Sequence, residues 1–227
     1  MDEAPGAALA ELCQIYWRPI FAFILRQGYS HADAQDLTQD FFIDVFRGRL
    51  VQLADPSRGR FRCFLLTALK HFLCDRKLRS HRRKRGGAIR FESFEGLVEA
   101  SDFCAVAAEG LTTHPEEAVF DLNWAATVAA QALRRLREDC ESRNHRGTFE
   151  CLRGYLTTER SETCYRHLSL ELGLPEASVK RLIHQFRTHY RALLREEVAK
   201  TVESSSDVDT EVRYLCTVLA ATPVTIS

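Results

Sequence analysis

Apolar residues recur every three or four positions along most of this chain, the spacing that places them on one face of an α-helix. The first stripe ends at Gly28, a natural helix stop, and Pro19 is a point at which that helix could be interrupted. Ser30 suits the N-cap of the second helix because the acidic Asp33 follows three residues later. The stripes predict helices near residues 7–28, 30–48, 61–81, 149–155, 165–172, 175–195 and 210–220. A further helix is predicted from residue 115 through 136, ending near residues 144–147.

The periodicity breaks once over a long stretch. Residues 88–114 mix three phenylalanines with five acidic side chains and show no helical spacing, which is typical of an acidic linker. We therefore predict an all-α fold with two small helical domains. The predicted domains are residues 1–87 and 115–200, joined by the linker 88–114 and followed by a C-terminal helical extension at residues 201–227.

The predicted third helix changes character along its length. Its first half is rich in aromatic and aliphatic residues, and its end is a block of Lys and Arg: eight cations and no acid lie between Arg76 and Arg90. Aromatic rings can stack on unpaired bases and a row of cations suits phosphates, so this helix is a candidate surface for opened DNA. An ordinary core helix with a solvated basic end explains the same pattern.

A second informative stretch begins at residue 165. A short helix carrying Leu168 and Leu172 is followed by Gly173 and by Pro175, which opens a longer amphipathic helix. The apolar residues of that helix are predicted to face inward, whereas its outer face is basic and rich in hydrogen-bonding groups. This pattern predicts a DNA-binding helix-turn-helix, and the alternative is a plain helical hairpin with a solvated surface.

The composition excludes some classes of protein but does not indicate a function. Lys plus Arg equals Asp plus Glu, no apolar run is long enough to span a bilayer, and no signal-peptide pattern opens the chain. The eight cysteines are scattered without a CxxC pair, which indicates small buried thiols in a reducing cytoplasm. Cys164 and His167 have a spacing that could supply two metal ligands, but no second pair lies nearby, so we expect no metal and no cofactor.

Taken together, the chain resembles the bacterial RNA polymerase sigma factors of the extracytoplasmic-function (ECF) group, which keep only sigma regions 2 and 4. Residues 33–42 (DAQDLTQDFF) are similar to the region 2.2 helix that docks on the polymerase clamp. Residues 61–72 (FRCFLLTALKHF) with their basic tail are similar to regions 2.3 and 2.4, and residues 172–180 (LGLPEASVK) to region 4.2. Leu170 stands where the family often has a polar residue, which predicts an extra packing contact.

The resemblance implies a binding role for each motif and no enzymatic chemistry. For core RNA polymerase it implies Asp36, Gln39, Asp40 and Phe41, although Phe41 could equally belong to the core. For −10 DNA and its melting it implies the loop before the third helix together with one face of that helix: Ser57, Arg58, Phe61, Phe64, His71, Asp75, Arg79, Arg82 and Arg83. For the −35 element it implies Ser178, Lys180, Arg181, His184, Arg187 and Arg191, of which His184 could instead be an ordinary surface histidine.

The expected function is that of a cytoplasmic sigma factor, with core RNA polymerase and promoter DNA as partners and an anti-sigma factor or another regulator as a further candidate. The main alternative is a stand-alone helix-turn-helix transcriptional regulator, which leaves residues 33–42 and the third helix without a role. A metal-dependent hydrolase is the other alternative, but the chain lacks a clustered ligand motif or a nucleophile signature.

Overall fold

The computed structural model describes residues 5–47, 60–83, 115–156, 165–202 and 204–221, with side chains described from residue 10 onward and, in the second range, up to residue 79. Every regular element in these ranges is helical, which confirms the all-α prediction. The predicted linker 88–114 lies outside the described residues. The helices are α1 (Pro5–Arg26), α2 (His31–Phe46), α3 (Phe61–Arg83), α4 (Pro115–Ser142), α5 (Arg146–Leu152), α6 (Tyr165–Leu172), α7 (Glu176–Ala199) and α8 (Ser205–Ala220), with a 3₁₀ turn at Arg153–Tyr155.

The turn between α1 and α2 forms as its residues predict. Gly28 has a φ of +87°, which an L side chain rarely adopts, so the chain can leave α1 sharply at this point. The Ser30 hydroxyl accepts a hydrogen bond from the Asp33 backbone N–H at 3.1 Å and donates one to the Asp33 carboxylate at 2.6 Å. This capping arrangement fixes the first turn of α2.

Three expectations about local structure are wrong. Pro19 does not interrupt α1, because buried apolar side chains on both sides of it hold the helix in place. The last helix begins at Ser205, five residues before its predicted start at residue 210. The Ser204 hydroxyl accepts a hydrogen bond from the Ser206 backbone N–H and so caps an additional turn. Leu170 makes no extra packing contact, since 79% of its surface is exposed.

The cysteines are also less buried than expected. Of the six with described side chains, Cys74 and Cys216 are exposed and the other four are half-buried. Burial raises the pKa of Cys13, and burial followed by the nearby Glu171 carboxylate raises the pKa of Cys151. A raised pKa keeps a thiol protonated, so Cys13 and Cys151 are weak nucleophiles and serve as small packing groups.

The chain forms two compact units. The first contains α1, α2, α3, the start of α4 up to Thr127, and α8 from Tyr214 onward. The second contains the rest of α4 from Val128, then α5, α6, α7 and the start of α8 up to Arg213. The two units are defined by their internal contacts alone. The functional domains predicted at residues 1–87 and 115–200 therefore stay predictions.

The core of the first unit is built from aromatic contacts between helices. Trp17 of α1 stacks on Phe42 of α2 with ring centroids 5.8 Å apart, and Phe41 meets Phe72 of α3 edge to face at 5.5 Å. Such pairs contribute beyond the area that they bury. Tyr16, which is fully buried, stacks on Phe120 and so brings the first turns of α4 into the same core.

A buried ion pair joins α3 to α4 inside this unit. The Arg62 guanidinium donates to the Asp121 carboxylate at 2.7 Å, and both side chains are almost completely buried. Arg62 lies between two aromatic rings, with its guanidinium carbon 4.0 Å from the Tyr214 ring centroid and 5.3 Å from that of Trp124. The Tyr214 hydroxyl completes the cluster by donating to the second Asp121 oxygen at 2.6 Å. Burial, and then the Asp121 charge, raise the pKa of Tyr214, so the phenol stays neutral and keeps its proton for this bond.

The second unit is organised around α7. Val179, Ile183 and Phe186 are buried as the apolar pattern predicts, and Phe186 meets Phe149 of α5 edge to face at 6.0 Å. At the other end of α7 the Arg135 guanidinium of α4 bridges Glu196 at 2.6 Å and the buried Glu197 at 2.8 Å. These contacts fix the inner face of α7, so its outer face is also fixed in orientation.

We predict that the two acidic residues of α4 that pair with α3 differ strongly in their effect on stability. Asp121→Ala should lower the free energy of unfolding by about 3–5 kcal/mol, because it removes the carboxylate that neutralises the buried charge of Arg62. Glu117→Ala, one turn earlier, removes the partner of the largely exposed Lys70 and should cost about 1 kcal/mol or less. Urea unfolding followed by circular dichroism measures both, and equal losses would contradict this view of the Arg62 site.

We also predict opposite effects for two exposed glycines of the second unit. Gly173→Ala should lower stability by about 1–2 kcal/mol, because the residue has a φ of +64° and a Cβ strains that backbone. Gly147→Ala, in the first turn of α5, should leave stability unchanged or raise it, because a Cβ there meets no atom within 4 Å and the backbone is helical. A stabilising Gly173→Ala in the same urea experiment would show that the turn does not depend on glycine.

Candidate nucleic-acid interface and protein-docking surface

The outer side of α2 carries the residues predicted to bind polymerase. Asp36 and Gln39 are exposed, and within the described part of the chain neither has a side-chain partner. Asp40 is half-buried, and its carboxylate forms an ion pair with the Arg76 guanidinium of α3 at 2.8 Å. Phe41 is fully buried between Phe42 and Phe72, so of its two predicted roles the structure gives it the core one.

An open groove of about 630 Å³ lies in the first unit between this side of α2 and the basic end of α3. Asp33, Asp36 and Asp40 line one wall, and Arg76 and Lys77 line the other. Opposite charges therefore face each other across the groove, and Asp40 and Arg76 pair directly at 2.8 Å. The Lys77 ammonium lies 5.7 Å from the centroid of the Tyr29 ring, which also lines the groove, a cation–π distance.

The first turn of α3 holds the aromatic residues predicted to meet −10 DNA. Phe61 is half-buried, with its ring edge to face against Tyr16 at 5.6 Å and 6.2 Å from the ring of Phe64. Both phenylalanines thus belong to an aromatic cluster of the first unit, and part of each ring remains accessible. Ser57 and Arg58, predicted for the same site, lie outside the described residues.

Farther along α3 the predicted DNA residues form one stripe. His71, Asp75 and Arg79 are exposed and are spaced four residues apart, so they follow one another along the same face. The helix continues through Arg82 and Arg83, whose side chains lie outside the described residues. Arg76 lies outside this stripe, and its guanidinium packs 5.0 Å from the Phe72 ring centroid while it pairs with Asp40.

The turn between α6 and α7 is short and is closed by hydrogen bonds. Gly173 adopts a left-handed conformation, and the Leu174 N–H donates back to the Ser169 carbonyl at 3.1 Å, the long bond of a Schellman motif. The Ser169 hydroxyl adds a bond to the Leu174 carbonyl at 2.5 Å. The Ser169 hydroxyl therefore takes part in closing the turn.

The predicted −35 residues of α7 separate into an exposed group and one tied residue. Ser178, Arg181 and His184 are exposed at three-residue spacing, so they lie along one side of the helix near its N-terminal end. Lys180 and Arg191 are also exposed, and the Lys180 ammonium lies 5.0 Å from the Tyr165 ring centroid. Arg187 is different: it is half-buried and its Nε donates to the Tyr155 carbonyl at 2.9 Å.

Arg62, Asp121 and Tyr214 form the main cluster that the sequence reasoning did not identify. A signal for two of them exists in the pattern, because Arg62 and Asp121 each interrupt an apolar stripe with a lone charge of opposite sign. Tyr214 gives no such signal, since a tyrosine fits an amphipathic helix without further explanation. Only folding brings these three residues together, over a separation of up to 152 positions between Arg62 and Tyr214 (214 − 62).

Within the described ranges, no three His, Cys, Asp or Glu side chains come close enough together to hold a metal ion. Likewise, none of the helices described above has the length and apolar character needed to cross a bilayer. Compared with known proteins, the chain matches no family model, no curated protein and no solved structure.

Proposed function

We propose that this protein is a sigma factor of the ECF group, which binds core RNA polymerase and directs promoter recognition and DNA melting. The observation that supports the proposal most is the outer face of α7. There Ser178, Arg181 and His184 project from the start of a helix that follows a tight glycine turn. This is the arrangement in which a second helix presents its first residues to base edges in the major groove.

The chemistry of that face suits DNA reading. Arg181 can donate two hydrogen bonds to a guanine, and Ser178 and His184 can bond to several bases. Lys180 and Arg191 lie beside this row and suit phosphates, which position the helix without reading sequence. Arg187 acts as a brace for α7 through its bond to the Tyr155 carbonyl, and it takes no part in our assignment of base contacts.

A helix-turn-helix alone also fits a stand-alone regulator, and α2 favours the sigma factor. Asp36 and Gln39 are exposed acidic and amide groups on one side of α2, beside the acidic wall of the groove. Such a surface is complementary to a basic helical partner and repels DNA, so a regulator that binds only DNA has no use for it. The proposed partner is the polymerase clamp, and a protein with this role acts in the cytoplasm.

The proposed role of α3 is to hold the melted −10 strand. The stripe His71, Asp75 and Arg79 offers hydrogen bonds and charge to one strand, and the aromatic pair Phe61 and Phe64 lies at the beginning of the same helix. Flipping a base out of the stack costs a few kcal/mol, which stacking on aromatic rings can return. Binding energy alone does this work, so the proposal includes no catalytic residue and no cofactor.

We predict that the charge of α2 is required for polymerase binding. Asp36→Arg combined with Asp40→Arg should reduce recovery of the protein with core RNA polymerase in a pull-down to background, because the reversed charges repel a basic clamp. Glu138→Arg is the control: it reverses the charge of an exposed acidic residue in α4, outside the α2 surface. Unchanged recovery of the double variant, with a circular dichroism spectrum like that of the parent, would remove the polymerase from the proposal and leave the stand-alone regulator.

We predict that substitutions of two arginines of α7 weaken DNA binding in different ways. Arg181→Ala should lower the free energy of −35 duplex binding by about 1–3 kcal/mol and relax the preference at one base pair. Arg191→Gln should weaken binding to all sequences alike and reduce the slope of log K against log salt by about one. Binding titrations over a set of single-base duplex variants at several salt concentrations separate the two effects. A uniform loss for Arg181→Ala would assign that residue to phosphate contact instead.

A further inference from the structure

The first turn of α3 is enclosed by residues that lie far along the chain. Arg62, the first cation of this helix, is only 6% exposed, and its guanidinium is surrounded by Asp121 and Trp124 of α4 and Tyr214 of α8. All four residues belong to the first unit. Arg60, just before the helix, is half-buried and its guanidinium lies 5.7 Å from the same Tyr214 ring. Two cations that precede or begin the aromatic segment are thus covered by one tyrosine of the C-terminal helix.

Two different helices supply the groups that hold Arg62. The Asp121 carboxylate of α4 provides the anionic oxygen, and the Tyr214 ring of α8 provides a flat aromatic face at 4.0 Å. A single strand presents the same two features to an arginine, namely an anionic oxygen and a flat aromatic face. The C-terminal helix therefore occupies a position that a strand along the first turn of α3 requires.

We propose that α8 is an intramolecular latch, which competes through Tyr214 with single-stranded nucleic acid for the arginines at the beginning of α3. This inference rests on the proposed nucleic-acid function of α3 and adds a means of control. Leu215 and Val218 of α8 are also buried, so the closed form is stabilised by apolar packing as well as by the Tyr214 contacts. When a protein is mostly closed, its apparent affinity for a ligand falls by the fraction that is open, and a partner that lifts α8 restores the affinity.

The first test measures single-strand binding by the full chain. Fluorescence anisotropy of a fluorescein-labelled oligothymidylate gives the Kd for the parent, for Tyr214→Phe and for Tyr214→Ala. We expect Tyr214→Ala to bind about tenfold more tightly than the parent, because it raises the open fraction. Tyr214→Phe keeps the ring and loses only the hydroxyl, so its Kd should lie between the two. Cys216→Ala, an exposed change two residues away on the same helix, should match the parent.

The second test observes the latch itself and does not depend on a Tyr214 variant that folds. The chain has two tryptophans, and Trp124 is fully buried beside Arg62, so Trp17→Phe leaves Trp124 as the single reporter. Adding oligothymidylate should shift the emission of Trp124 to longer wavelength and increase its quenching by acrylamide, because an open latch admits water. A thermal melt of each variant separates local opening from unfolding.

Two results would overturn the latch. One is a Tyr214→Ala variant that is less stable yet binds the oligonucleotide no more tightly than the parent, which would make Tyr214 a purely structural contact. The other is Trp124 emission that stays unchanged while the parent binds. If no form of the protein binds the oligonucleotide, the latch and the nucleic-acid role of α3 both fail. Polymerase recovery and −35 duplex binding are measured separately, so the latch can fail while the rest of the proposed function stands.

Discussion

The Arg62–Asp121 ion pair is the interaction on which the first unit depends. An arginine cannot give up its charge inside a protein, so burying it requires a carboxylate held at hydrogen-bonding distance, here at 2.7 Å. The pair ties α3 to α4, and the two aromatic rings around Arg62 exclude water from it. Hydrophobic contacts among α1, α2 and α3 would tolerate small shifts of α4, whereas a buried ion pair tolerates few. The ion pair therefore fixes the position of α4 along α3.

The same pair explains why a C-terminal helix belongs with N-terminal residues. One carboxylate oxygen of Asp121 serves Arg62, and the other accepts the Tyr214 hydroxyl at 2.6 Å. A buried carboxylate with an unsatisfied oxygen is costly, so the phenol contributes to stability as well as to specificity. In the second unit, Arg135 performs a similar task with Glu196 and Glu197, and it fixes the orientation of α7. In both units, a charged contact between distant segments orients a helix whose outer face carries the proposed function.

At the candidate surfaces, the sequence pattern predicts which side chains are exposed but not which partners they bind. Exposure of Ser178, Arg181 and His184 follows from the helical period, because the apolar positions of α7 leave only that side for polar groups. The same reasoning treats Arg187 as one more outward cation, yet its guanidinium turns to the Tyr155 carbonyl. Asp40 is similar: the pattern puts it at the surface but gives no sign of its pairing with Arg76. A long side chain reaches several ångströms from its helix, so its partner depends on which element packs nearby.

The sequence by itself determined the helical class, the ends of several helices and the face that each presents. These features depend on contacts within three or four residues, such as the Ser30 cap and the Gly173 turn, so a local pattern contains them. Only the tertiary structure decided that Phe41 is core, that α4 divides between two units, and that Tyr214 covers Arg62. Those outcomes depend on the packing of segments distant in the chain. Their energies come from shape and charge complementarity in three dimensions, which no local period of apolar and polar residues records.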